Sequence, residues 1–188
     1  MAFLVSSLMV LVMLSSPIYS ISCDLDLAKN LNLGNLETFR VLEQMGTISD
    51  LSCLENRTNF HLPKEKLDGN LLQKAQAMAV LKEILQQTLL LFLTEQSSIA
   101  WNQTLLDHLR AGLYGQQQDL DACLVKELEE EDWALGVEGP MLALKRYFLG
   151  IRLYLKQKKY TGCAWKVVTV EIRRCLLFTN KLIRKFRM

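Results

Sequence analysis

Three observations on the sequence predict an all-α protein, a disulfide-stapled bundle of five helices. Half of its 188 residues are hydrophobic, with Leu dominant, and only three are proline. Apolar residues recur every three or four positions, which is typical of amphipathic helices. No strand-like stretch of any length interrupts this pattern, and the chain contains five cysteines. A chain of this length and composition is expected to bury one core as a single compact domain.

Residues 1–22 have the features of a secretory signal peptide. They carry no charged side chain, they include an apolar run over 3–14, and Ser20 and Ser22 lie just before Cys23. This layout predicts cleavage before Cys23 and export of a helical domain formed by 23–188, with an uncleaved anchor as the alternative. No later stretch reaches about 18 uninterrupted apolar residues, so no membrane insertion is expected. The expected location is secreted and extracellular.

The cysteines are expected to form disulfides, because an exported protein meets an oxidising compartment. They are Cys23, Cys53, Cys123, Cys163 and Cys175. None lies in a Cys-x-x-Cys pair or at zinc-ligand spacing from a histidine, so no metal site is expected. If Cys163 and Cys175 share one helix they cannot pair, because twelve residues of about 1.5 Å rise separate them by roughly 18 Å. The odd number leaves at least one thiol free or joined to a second molecule.

The periodic segments place the five helices along the chain. They are 25–45, 71–94, 101–128, a fourth that begins at Pro140 and a fifth that follows a turn at Gly162. Gly34 weakens the middle of the first helix, and the acidic run 129–132 is expected to end the third in a solvated loop. The connection over 46–70 is far longer than the others. It predicts a crossover, so that the first two helices run parallel as in the cytokine type of bundle.

No catalytic constellation is present in the sequence. The two histidines, His61 and His108, have no paired base or metal partner at a suggestive spacing. There is no nucleophile elbow, no phosphate-binding glycine loop and no His-Glu-x-x-His motif. The sequence therefore predicts a binding protein that is not an enzyme and needs no cofactor.

Two N-x-T sequons, at Asn56 and Asn102, are candidate glycosylation sites in an exported protein. The alternative is that one or both stay unmodified. The Asn56 sequon lies directly beside Arg57, so a glycan there would cover neighbouring contacts.

The charge of the chain is unevenly distributed. Residues 145–188 contain the single acid Glu171 among many basic side chains, although the formal net charge of the whole chain is only +2. Such asymmetry favours an acidic protein partner or a sulfated or phosphate polymer, and the alternative is a solvated face that balances the acidic remainder. Export and the lack of any reader motif disfavour nucleic acid as a partner.

Several motifs resemble the type I interferons. The run 147–155 (YFLGIRLYL), followed after seven residues by Cys163-Ala164-Trp165, matches the most specific motif of that family. The similarity extends through 71–76 (LLQKAQ), 85–87 (LQQ), 102–107 (NQTLLD) and Thr179-Asn180, so it covers nearly all of the chain after residue 22. The segment around the Asn102 sequon is most similar to the alpha/omega group.

This resemblance implies a five-helix cytokine that brings together both subunits of the interferon-α/β receptor. Signalling would pass through Janus kinases and STAT proteins to an antiviral state. The resemblance also implies the disulfides Cys23–Cys123 and Cys53–Cys163, which leave Cys175 over. A monomer with Cys175 as a buried inert thiol is expected. The alternative is a covalent dimer through Cys175, with Arg173 and Arg174 favouring the thiolate.

The family pattern assigns two sets of receptor contacts. For the tighter subunit these are Leu54 and Arg57 in the long connection, with Thr169, Val170, Arg173, Arg174 and Phe178 on the last helix. The alternative for Leu54 and Phe178 is an ordinary place in the core. For the second subunit these are Lys82, Glu83, Gln86 and Leu89 on the second helix, Arg110 and Tyr114 on the third, and Lys145 on the fourth, with a solvated face as the alternative. Arginine suits such a role because its planar guanidinium makes several directed hydrogen bonds.

Two other classes of function remain as alternatives. One is a different helical cytokine or hormone, which the motif at 163–165 disfavours. The other is a secreted cationic protein that binds sulfated glycans or membranes through 145–188, and its activity would fall steeply with salt.

Overall fold

The computed structural model describes residues 26–46, 50–68, 70–127 and 136–187. The helices, in chain order, are α1 (26–45), α2 (Lys74–Phe92), α3 (Glu95–Ala100), α4 (Gln103–Glu127), α5 (Glu138–Gln157) and α6 (Gly162–Arg184). Two 3-10 helices cover Asp50–Asn56 and Lys185–Arg187. No strand occurs in these described ranges, and the predicted all-α fold is confirmed. The proposed signal peptide, Cys23 and the acidic run 129–132 lie outside them.

The helix α1 forms despite a glycine near its centre, and its contact with α4 explains why. A Cβ atom added at Gly34 would lie 2.7 Å from Cγ of Gln116 on α4. Gln116 is 4% exposed, and its Nε2 donates a hydrogen bond of 3.2 Å to Oγ1 of Thr38 on α1. Gly34 therefore leaves room for the buried Gln116 side chain against α1, and a larger residue there would displace it.

Side chains that accept hydrogen bonds from free backbone N–H groups fix the starts of three helices. Oγ1 of Thr94 accepts from the Ser97 amide, Oδ1 of Asn102 from the Leu105 amide, and Oγ1 of Thr161 from the Ala164 amide. Two expected boundaries need correction. Gly162 is the first residue of α6, because Thr161 caps the helix, and Pro140 is the third residue of α5, which begins at Glu138. The short helix α3, between α2 and α4, was not expected.

An aromatic cluster closes one end of the bundle around the fully buried Trp165. Its ring centroid lies 5.8 Å from Phe92, 6.2 Å from Trp101 and 6.4 Å from Tyr160. Met45 at the end of α1 lines a cleft together with Trp165. This end therefore collects the last residues of α1, α2 and α5 and the first residues of α4 and α6. It follows that α1 and α2 run parallel, as the long connection predicted.

The connection between α1 and α2 must cross the whole length of the bundle. Near the aromatic end, the disulfide Cys53–Cys163 ties it to the start of α6. At the other end, Lys64 and Asp68 line a cleft together with Lys181 near the end of α6. We call the segment 50–68 the crossover.

Contacts with α5 hold the middle of the crossover. The hydroxyl of Tyr154 donates a hydrogen bond of 2.7 Å to the carbonyl oxygen of Asn56. The ring of Phe60 packs edge-on against Tyr154, with centroids 5.2 Å apart. The crossover is thus fixed to both α5 and α6.

Removing the Cys53–Cys163 disulfide is expected to destabilise the fold. The bond joins residues 110 positions apart, so its loss restores much conformational freedom to the unfolded chain. The double variant Cys53→Ser/Cys163→Ser should lose about 2–5 kcal/mol in free energy of unfolding, measured by urea denaturation. An unchanged unfolding midpoint and slope would contradict the view that this bond fixes the crossover.

Candidate functional site

A cleft of about 340 Å³ lies between the crossover and α6. The crossover contributes Cys53, Arg57 and Thr58, and α6 contributes Lys166, Val167, Val170, Glu171 and Arg174. Three cationic side chains thus surround the cleft, and one acid lies among them. Because the disulfide joins the two segments beside the cleft, Arg57 and Arg174 are held close together despite their distance in sequence. We call this feature the basic cleft.

The acid in the basic cleft is already neutralised from within the protein. Glu171 is only 3% exposed. Its Oε1 accepts a 2.9 Å hydrogen bond from the hydroxyl of Tyr147 on α5, and its Oε2 accepts a 2.9 Å hydrogen bond from Nη1 of Arg174. Burial raises the pKa of Tyr147 well above its ordinary value, and the neighbouring Cys175 and Glu171 add to this effect. Tyr147 therefore stays protonated as a donor, and the rim of the cleft stays basic.

Arg173 points away from the basic cleft, towards α1. Its guanidinium lies 5.9 Å from the ring centroid of Phe39 and 3.9 Å from the carboxylate of Glu43. The two neighbouring arginines of α6 therefore serve two different surfaces, and Arg173 lines a separate cleft between α1 and α6.

The structure separates the seven predicted contacts of the first set by exposure. Leu54 and Val170 are 45% and 43% exposed, and Arg57 and Arg174 are also exposed. Thr169 and Phe178, by contrast, are 2% and 7% exposed.

The two buried members of that set need a different interpretation. Oγ1 of Thr169 donates a 2.9 Å hydrogen bond to the carbonyl of Trp165 within α6, and Phe178 belongs to the hydrophobic core. Thr169 therefore lies behind the exposed face of α6, and Phe178 lines the cleft that Lys64 and Lys181 form at the other end of the crossover. Lys166 was not among the predicted contacts, although its spacing of four from Val170 and eight from Arg174 places it on the same helix face.

The second predicted set lies on α2 and on its neighbours α4 and α5. Lys82 forms an ion pair with Asp121, which joins α2 to α4. Nε of Arg110 donates a 2.8 Å hydrogen bond to the carbonyl of Phe92 at the end of α2. Gln86, Tyr114 and Lys145 are exposed, and Leu89 is half-buried.

Glu83 is the exception in the second set. It is 8% exposed, and its Oε1 accepts a hydrogen bond of 2.9 Å from Nε2 of Gln87. Glu83 therefore supports this surface from below. A hydrogen bond of 2.7 Å from Nη1 of Arg152 on α5 to Oε1 of Gln87 then sets α5 beside α2, which brings Lys145 to about the level of Lys82.

The structure corrects the expectation that Arg173 and Arg174 favour a thiolate at Cys175. Cys175 is completely buried, and burial raises the pKa of its thiol to about 12, with a further contribution from Glu171. Both arginines have other partners, Arg173 on α1 and Arg174 at Glu171. A buried neutral thiol is inaccessible to a second molecule, which argues against a covalent dimer.

The two sequons differ in their surroundings. Asn102 is exposed, and its Oδ1 accepts the hydrogen bond that caps α4. A glycan would be attached at the other side-chain atom, Nδ2, which this cap does not use. Asn56 is half-buried at the end of a 3-10 helix, next to Arg57 of the basic cleft.

Two further kinds of site are absent from the described residues. Among them, no helix is both long enough and apolar enough to cross a bilayer. The same residues contain no cluster of three or more His, Cys, Asp or Glu side chains placed to hold a metal ion.

Parallel α1 and α2 joined by a long crossover are typical of the cytokine type of helical bundle. The family model of the interferon alpha/beta domain matches residues 27–186. The chain is 57% identical to interferon omega-1 of Equus caballus over 175 residues, which are 93% of this chain and 89% of that protein. It is 46% identical to interferon tau-1 of Bos taurus and to interferon alpha-10 of Homo sapiens, each over all 188 residues and covering 95% and 98% of those proteins.

The chain belongs to the interferon alpha/beta family, within the alpha/omega group of type I interferons. The resemblance seen in the sequence motifs is therefore confirmed. Proteins of this family are secreted signalling cytokines of antiviral immunity and are not enzymes.

The thiol of Cys175 is expected to make the fold sensitive to alkaline pH. Burial raises its pKa from an ordinary 9.0 to about 12, so between these values the unfolded chain releases a proton that the folded chain keeps. The contribution of this thiol to the free energy of unfolding is fully present below pH 9.0. It falls by up to about 1.4 kcal/mol per pH unit as the pH rises towards about 12.

The variant Cys175→Ala removes this contribution and leaves every other titratable side chain in place. Urea denaturation across this range should give a steeper loss of stability for the wild type than for the variant, and parallel behaviour below pH 9.0. Equal slopes at alkaline pH would mean that the thiol is not held neutral by the fold.

Proposed function

We propose that this chain is exported through residues 1–22 and acts as a monomer that binds both subunits of the interferon-α/β receptor. Receptor bridging would activate Janus kinases and STAT proteins and induce an antiviral state. Membership of the interferon alpha/beta family supports the choice of receptor. The basic cleft, held by a disulfide between the crossover and α6, is the single observation that supports a specific contact surface.

The proposed surface for the tighter subunit is the rim of the basic cleft. Arg57 and Arg174 supply directed cationic donors, while Leu54 and Val170 supply apolar area that is exposed in the free protein. Such a mixture suits the desolvated centre of an interface, where arginine is often a dominant contact. The complementary receptor patch should carry carboxylates facing the arginines and apolar side chains beside them. Arg173, which faces α1, would be a flanking contact from the neighbouring cleft, Thr169 is buried behind the surface, and Phe178 lies at the other end of the crossover.

The proposed surface for the second subunit lies on α2, α4 and α5. It is formed by Lys82, Gln86, Leu89, Arg110, Tyr114 and Lys145, with Glu83 buried beneath. The ion pair between α2 and α4 and the hydrogen bonds at Arg110 and Gln87 hold these helices in register. Because the two surfaces use different helix faces, one molecule has room for both subunits at once.

Two covalent features complete the proposal. Cys123 is disulfide-bonded, and we assign Cys23 as its partner, in agreement with the family pattern. Asn56 and Asn102 are proposed as glycan sites, with the Asn56 glycan close enough to Arg57 to affect the basic cleft.

The test compares two pairs of charge removals on the same molecule. Arg57→Ala and Arg174→Ala each remove a cation from the basic cleft, and each should weaken binding to the tighter subunit by at least about tenfold. The matched controls are Lys181→Ala and Arg184→Ala, each of which removes one exposed cation of α6 that lines a different cleft. Each control should change binding by about twofold or less, as expected for charges outside the interface.

Binding to the receptor ectodomain is measured with protein from a host that adds no glycans, which removes the influence of Asn56. A reporter assay on receptor-bearing and receptor-deficient cells gives the activity of the same variants. Equal losses of activity in the cleft variants and in the control variants, together with binding that salt abolishes, would favour the sulfated-glycan alternative. A signal in receptor-deficient cells would refute the proposed receptor.

A further inference from the structure

The carboxylate of Glu171 occupies an unusual position for an acid beside a binding surface. It is buried at the floor of the basic cleft, between a tyrosine of α5 and an arginine of its own helix. A buried carboxylate is strongly destabilising unless hydrogen bonds and an opposite charge compensate for the lost water. Tyr147 supplies the neutral donor and Arg174 the opposite charge, each at 2.9 Å.

This arrangement orients the Arg174 guanidinium and leaves its remaining N–H donors available to a partner. Glu171 engages one guanidinium nitrogen, Nη1, while 52% of the Arg174 side chain remains exposed. Tyr147 is 5% exposed and packs against Phe148 with centroids 5.1 Å apart, so its hydroxyl has a well-defined place. A rigid donor thus orients the carboxylate, and the carboxylate in turn orients the exposed guanidinium.

We propose that Tyr147 and Glu171 are positioning residues that hold the Arg174 guanidinium in its receptor-binding orientation before the receptor arrives. The inference rests on the proposed function, since it assigns a role to residues behind that same surface. An arginine that is ordered in advance loses less side-chain entropy on binding than a mobile one. The expected gain is about two- to tenfold in affinity, expressed mainly as a slower dissociation rate.

The variant Tyr147→Phe tests this most cleanly, because it removes the hydroxyl and leaves every charge in place. It should speed receptor dissociation by about two- to tenfold and leave the association rate unchanged. Glu171→Gln provides a second variant. It should also speed dissociation, while the lost negative charge should speed association with an acidic partner.

A double-variant cycle with Arg174→Ala separates positioning from general damage. If Tyr147 acts through Arg174, then Tyr147→Phe should have no effect on dissociation in the Arg174→Ala background. Thr38→Val is the control for lost stability. Thr38 is 2% exposed, and its Oγ1 donates a 2.8 Å hydrogen bond to the carbonyl of Gly34, in the contact of α1 with α4 away from the cleft. This control should lower the melting temperature without changing receptor dissociation.

A measurement on the free protein gives an independent readout. Nitrogen-15 relaxation of the Arg174 side-chain Nε–H group should show restricted motion in the wild type and greater motion in Tyr147→Phe and Glu171→Gln. Unchanged motion in both variants would overturn the positioning role, whatever the receptor data show.

The binding outcomes distinguish this inference from the proposed function. If Arg174→Ala leaves affinity unchanged, the proposed contact surface fails and the positioning role fails with it. If Arg174→Ala weakens binding but Tyr147→Phe matches Thr38→Val, or acts equally in the Arg174→Ala background, only the positioning role is overturned. Faster dissociation in Tyr147→Phe that disappears in the Arg174→Ala background, together with greater Nε–H motion, would establish it.

Discussion

The attachment of the crossover to the start of α6 is the constraint on which the rest of the surface depends. A connection that spans the bundle has little regular structure of its own, and its loops would otherwise move freely. The Cys53–Cys163 bond, with the Tyr154 hydrogen bond to Asn56, places Arg57 opposite Arg174. Arg57 and Arg174, more than a hundred positions apart in the chain, thereby line one cleft. The disulfide lowers the conformational entropy of the unfolded chain, so less entropy is lost when the folded chain brings them together.

Beneath that surface, the polar contacts follow from the burial of a single acid. Because Glu171 is buried, it needs both a donor from α5 and a cation from α6. Tyr147 and Cys175 stay protonated chiefly because their own burial raises their pKa values, and the charge of Glu171 adds to this, so the core around the acid carries no further negative charge. The outcome is a surface that remains basic although it contains a carboxylate, which suits an acidic partner.

Five of the helices and the parallel course of α1 and α2 were predictable from the sequence, because amphipathic periodicity and a long connection are visible along the chain. The family was predictable from its motifs at 147–155 and 163–165. The packing at Gly34 and the burial of individual side chains on α6 depend on tertiary contacts, which the sequence does not show. Gly34 was expected to weaken the middle of α1, yet its lack of a side chain leaves room for Gln116 of α4. The family pattern assigned Thr169 and Phe178 as contacts, but their angular positions on α6 turn them inward. Lys166 lies on the same face of α6 as Val170 and Arg174, a periodicity visible in the sequence, but only the structure shows that the crossover faces it.

The most direct test of this account measures which side chains the tighter receptor subunit covers. Hydroxyl-radical footprinting suits the question, because Leu54 and Val170 are 45% and 43% exposed in the free protein and Ile99 on α3 is 79% exposed. In the complex, Leu54 and Val170 should lose most of their labelling, while Ile99 keeps its own. If both residues label as strongly in the complex as in the free protein, the basic cleft is not the receptor-binding surface.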